Sequence, residues 1–129
     1  MTIKIPTMLL NDFFTITGTE KAGDKYIICV ELNGDHKIYD GHFPGNPVVP
    51  GVCETQMIKE ALELIMGAKL RMTSAGEIKY LAVINPEENA HLVVEIKIKY
   101  QEDNSVAVNS TISANEKMFL KFRGTFVKE

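Results

Sequence analysis

Leu92, Val94, Ile96, Ile98 and Tyr100 alternate with Val93, Glu95, Lys97 and Lys99. A period of two with one apolar and one mostly charged face predicts a strand that buries a single side. Gln101 to Ser105 predicts a turn, and Val106, Val108 and Ile112 continue the apolar face on the next strand. Met118, Leu120, Phe122 and Phe126 do so on the last, against Lys121, Arg123 and Thr125. Glu77 to Ile84 predicts a further strand, closed by the turn Asn85-Pro86-Glu87-Glu88-Asn89. Nearer the start, Phe13 to Thr19 and Lys25 to Leu32 predict two strands around the turn Lys21-Ala22-Gly23-Asp24. A short helical turn is expected over residues 8 to 12, and a short pairing segment near Lys37 to Tyr39.

One stretch breaks the strand pattern. From Val52 to Met66, apolar residues fall at positions 57, 58, 61, 62, 64, 65 and 66, wider than one amphipathic stripe. This predicts a helix buried on most sides, with Glu54, Lys59 and Glu63 at its wet margin and Gly67 as the stop. An antiparallel sheet with one apolar face needs a cover, and a single helix is available. The expected class is therefore α+β: a curved antiparallel sheet wrapped around one long central helix, the shape called a hotdog, with residues 1–129 as one domain.

Composition narrows the function classes. The chain has 129 residues, 45% hydrophobic and 24% charged, the profile of a globular domain. A net charge of -3 gives no basic face for nucleic acid. No run of eighteen apolar residues predicts a membrane span, and Met1 to Pro6 carries no apolar leader segment, so a cytoplasmic location is expected. Cys29 and Cys53 are too few for a disulfide framework and are expected as reduced, mostly buried thiols. Cys53 falls at a helix N-terminus, where a thiol pKa can drop. No His, Cys and Asp grouping has metal-ligand spacing, and no Gly-rich phosphate loop is present. Neither a metal nor a cofactor is expected.

The densest chemistry lies just before the helix, in Gly41-His42-Phe43-Pro44-Gly45-Asn46-Pro47-Val48-Val49-Pro50-Gly51-Val52. Three prolines and three glycines in twelve residues exclude an ordinary helix or central strand. Such a rigid segment suits the presentation of His42, whose unperturbed pKa lies near neutrality. The run closely resembles the signature of the hotdog-fold (3R)-hydroxyacyl-acyl-carrier-protein dehydratases. Leu9-Leu10-Asn11-Asp12, Ala75-Gly76 and Ile84-Asn85-Pro86 extend the likeness over nearly the whole chain.

The resemblance implies a homodimer, often assembled as a trimer of dimers, with active sites at the dimer interface. The substrate would be an acyl thioester on the phosphopantetheine arm of acyl carrier protein. His42 would remove the proton on C2, and the Gly51 N–H would polarise the thioester carbonyl. Phe43 and Val52, beside them, complete the oxyanion and substrate-binding group. Orphan N–H groups and the positive helix end favour the negative charge that develops there.

The sequence departs from the family where its helix carboxylate stands, fourteen positions after the histidine. This chain has Gln56 there and Glu60 one turn later, where the family tends to carry Gln. An amide cannot deliver a proton to a leaving hydroxyl. Glu60 shares the face of position 56, whereas Glu54 is about 200° away at ~100° per residue. Glu60 is thus the candidate acid, with Gln56 beside it. Three roles are open to Glu60: acid through altered geometry or a bridging water, structural residue, or general base for thioester hydrolysis. They correspond to a dehydratase, a non-catalytic acyl-thioester-binding partner of an active paralogue, and a thioesterase.

Other candidates have simpler readings. His36 and His91, in or beside turns, are expected to be solvated. Tyr39 and Asp40 could orient the motif, although an Asp before Gly is ordinary turn chemistry. Met57, Met66 and Met72 suit core packing ahead of an acyl tunnel. Lys97, Lys99, Lys121 and Arg123 fit a solvated strand face, as alternation alone predicts.

Overall fold

The computed structural model describes residues 8–40 and 45–129. His42 and Phe43 lie outside the described residues. The elements run β1 (Phe14–Ala22), β2 (Lys25–Leu32), a 3-10 turn (Lys37–Tyr39), α1 (Gly51–Met66), β3 (Leu70–Tyr80), β4 (His91–Tyr100), β5 (Val106–Ala114) and β6 (Lys117–Lys128). The strands form one six-stranded sheet in the order β1-β2-β4-β5-β6-β3. Every pairing in it is antiparallel.

The register explains the core. Ile28, Val94, Ile112, Leu120 and Tyr80 are successive cross-strand partners, so they share one face. The first four are fully buried, and Met57, Ile58, Ala61 and Leu62 of α1 belong to the same apolar core. Tyr80 ends this row on β3, an edge strand, and is half exposed. Helix α1 starts after Pro50 with no side-chain cap, and ends at Gly67, whose φ of 65° lets its N–H reach the Glu63 carbonyl. Two-residue connections close two hairpins. Gly23 takes a φ of 65° in the first, and Asn115 and Glu116 both take positive φ in the second, the twist that hairpins favour.

Several expectations are corrected. The segment near Lys37 to Tyr39 is a 3-10 turn and not a pairing strand, because the His36 ring accepts from the Ile38 N–H and caps it. The His36 side chain is nearly buried, its Nε2 lying 3.0 Å from Asp12 and its ring edge-on to Phe13. His91 is exposed, as expected. The strand placed over 77 to 84 begins at Leu70 and ends at Tyr80. Phe119 is fully buried although strict alternation points it outward: the β5–β6 register slips between Ile112 and Ser113, and Phe119 is the residue left unpaired. Tyr100 is exposed at the end of its strand. Cys29 is exposed, while Cys53 is buried. Met57 is core, Met66 packs at its margin and Met72 is exposed.

Candidate active site

The segment before the helix is held by the segment after β3: the Val49 N–H donates to the Ile84 carbonyl at 2.8 Å. This contact places the start of α1 against the end of β3. Between them lies a mostly apolar cavity of about 650 Å³, lined by residues 48–52, 54 and 80–83. At its mouth Val52, Leu81 and Val83 are exposed. Tyr80 packs closely over Gly51: a Cβ at position 51 would be 2.8 Å from the Tyr80 hydroxyl and ring, so any larger residue there has to displace the Tyr80 side chain. The first N–H groups of a helix have no intrahelical partner, and this helix has no side-chain cap, so the orphan donors of α1 start at the cavity.

Glu54 is the residue that sequence reasoning misplaced. Read as lying at a wet margin, it is 3% exposed and lines the cavity. Its Oε1 is buried without a hydrogen-bond partner. Burial pushes its carboxyl up to about 8. Burial, and then the charge of Glu54, also raise the Tyr80 hydroxyl. The Cys53 thiol is pushed up to about 12 by the same two causes, the opposite of the lowering that a helix start can bring. The signal for Glu54 was in the pattern. Position 54 shares a helix face with Met57, Ile58 and Ala61, all buried.

Glu60 and Gln56 occupy a different part of α1. Both Glu60 oxygens accept from the Leu9 N–H, at 2.9 and 2.8 Å, and Oε1 also accepts from the Leu10 N–H at 2.8 Å. The Gln56 Nε2 donates to Oε2 at 2.8 Å. Glu60 is 3% exposed, and its oxygens serve as acceptors that anchor the turn before β1. The expected acid is thus engaged as a structural anchor, and neither it nor Gln56 lines the cavity that Gly51 and Val52 share with Glu54. Tyr39 is buried beside Phe13 with its hydroxyl unpartnered, and its pKa is raised by burial and by Cys53. Among the described residues, no group of three His, Cys, Asp or Glu is placed to hold a metal, and no helix is long and apolar enough to cross a membrane.

The family model described as ApeI dehydratase, of the ApeI-like family, matches residues 18–122. A 3-hydroxyacyl-[acyl-carrier-protein] dehydratase FabZ of Zymomonas mobilis is 30% identical over 82 residues, 64% of this chain and 49% of that protein. The match thus spans about half of that relative. The FabZ of Levilactobacillus brevis is 29% identical over 112 residues, covering 81% of this chain and 74% of its own. Among solved structures, the dehydratase heterocomplex ApeI:P from Xenorhabdus doucetiae superposes with a TM-score of 0.67 at 16% identity, covering 88% of this chain and 96% of that one. A hypothetical thioesterase from Streptococcus pneumoniae with coenzyme A gives 0.64 at 11% identity, covering 90% and 85%. At such identities the structural likeness establishes the fold, which is the hotdog, and this fold serves more than one reaction.

Proposed function

The chain belongs to the ApeI-like dehydratase family, and from that premise we propose that it removes water from a 3-hydroxyacyl thioester carried on acyl carrier protein, giving the trans-2-enoyl thioester. The observation that carries this reading is the uncapped start of α1 at Gly51, opening on an apolar cavity directly after the His42 motif. Loss of the C2 proton moves negative charge onto the thioester oxygen. The Gly51 N–H, at the positive end of a sixteen-residue helix, is suited to receive it. His42 is the base in this scheme, and Phe43 and Val52 flank the acyl chain. No cofactor is needed, since the elimination consists of proton transfers and C3–O cleavage with no net oxidation or reduction. The protein works in the cytoplasm as a homodimer. β3 supports the dimer with its unpaired edge, as do the exposed Val52, Tyr80, Leu81 and Val83 nearby.

The test is to supply a 3-hydroxyacyl-acyl-carrier-protein and follow both conjugated enoyl thioester and free thiol. Enoyl product without thiol release is expected. Thiol release without enoyl product would make the protein a thioesterase. Tight acyl-carrier binding without either product would make it a non-catalytic partner. A second outcome concerns Gly51. Because the atoms that a new Cβ would meet are the far end of the half-exposed Tyr80 side chain, Gly51→Ala is expected to fold. With Tyr80 displaced and the approach to the amide narrowed, its turnover should fall on the order of 10²-fold.

A further inference from the structure

We propose that Glu54 is the proton donor of this site, delivering the proton that departs with the substrate hydroxyl. The inference rests on the dehydratase reading above. Three observations carry it. Glu54 is a nearly fully buried carboxyl whose Oε1 has no partner, and such a group is costly to keep unless something uses it. It lines the same cavity as Gly51, so an acid and the amide proposed for the thioester oxygen face one space. Elimination also needs an acid that the other helix groups do not offer: Gln56 is an amide, and the Glu60 oxygens are engaged by Leu9, Leu10 and Gln56.

The step balances without a co-reactant. His42 takes the C2 proton, and that C–H electron pair forms the C2–C3 double bond. The C3–O bond breaks with its pair on oxygen, and the Glu54 O–H protonates that oxygen, releasing water. Glu54 is left as carboxylate and His42 as imidazolium. Return of the histidine proton to Glu54 through solvent resets both groups.

Burial sets the protonation state that this role requires. With its carboxyl pushed up to about 8, Glu54 holds its proton at neutral pH and loses it above that value. Among the described residues, the titratable groups that feel its charge are Cys53 and Tyr80, both raised by burial and both neutral at pH 8. The alkaline limb of activity therefore belongs to Glu54.

The experiment compares wild type, Glu54→Gln and Glu54→Asp on a 3-hydroxyacyl thioester from pH 6 to 9.5, reading enoyl formation and KM. Glu54→Gln is expected to lose about 10²- to 10⁴-fold in kcat with little change in KM. Wild-type kcat should fall as pH rises through about 8, and the Glu54→Gln residue of activity should lack that limb. Glu54→Asp should restore part of the rate. Thermal melting checks the fold with a sign of its own. The unfolded carboxyl ionises from its ordinary 4.5 upward while the folded one stays neutral to about 8, so wild type loses stability across that window. Glu54→Gln should lack this loss and melt no lower than wild type at pH 8. Wild-type-like turnover in Glu54→Gln, or an unchanged alkaline limb, would overturn the inference and leave the dehydratase reading standing. Absence of enoyl product from wild type would overturn both.

Discussion

Glu60→Ala is expected to destabilise the protein by about 3 kcal/mol, a large share of the 5–15 kcal/mol typical of a domain. The Glu60 carboxylate takes three N–H contacts from Leu9 and Leu10, residues 51 and 50 positions away in the chain. Leu9 is fully buried, so removing the carboxylate leaves its N–H without water or protein partner. The turn it anchors carries Phe13 and Phe14 into the core, so the loss spreads to the packing of β1. Thermal melting should fall on the order of 10 °C. Glu63→Ala is the internal comparison. Glu63 accepts one part-buried N–H, that of Leu70 at 2.8 Å, and its loss should cost about 1 kcal/mol. Equal melting temperatures for the two variants would remove the anchoring role from Glu60.

This anchor shows which features of the site were legible in the sequence. Alternation from Leu92 onward identified β4, β5 and β6, because burying one face of a sheet forces a period of two. It failed at Phe119, where a bulge adds a residue that the period does not count. The start of α1 was legible from Pro50 and Gly51, since a proline-rich run cannot enter a helix earlier. The partners of Glu60 were not, because they are backbone N–H groups some fifty residues away and leave no mark on side-chain pattern. Glu54 was legible but misread. Judged by its charge and its angle from position 56, it was set at the margin. Judged against Met57, Ile58 and Ala61, it lies on the buried face. A carboxyl on an apolar face calls for a functional explanation, because burial of such a group is costly without one.

That explanation makes a stronger demand on the site than either group does alone. His42→Ala is expected to lower kcat by about 10²- to 10⁴-fold, as loss of a general base does. If His42 and Glu54 serve the two ends of one elimination, their losses do not multiply. With the base gone, C2 keeps its proton and the donor has no departing hydroxide to meet. The double variant His42→Ala/Glu54→Gln should then be no slower than the slower single variant, within a few-fold, as for groups that act as a unit. Measuring kcat for the four proteins on one 3-hydroxyacyl thioester decides the matter. A double variant slowed by the product of the two single losses would mean that the residues act on separate steps. His42 would then keep its place as base, and the buried carboxyl at the start of α1 would need another use.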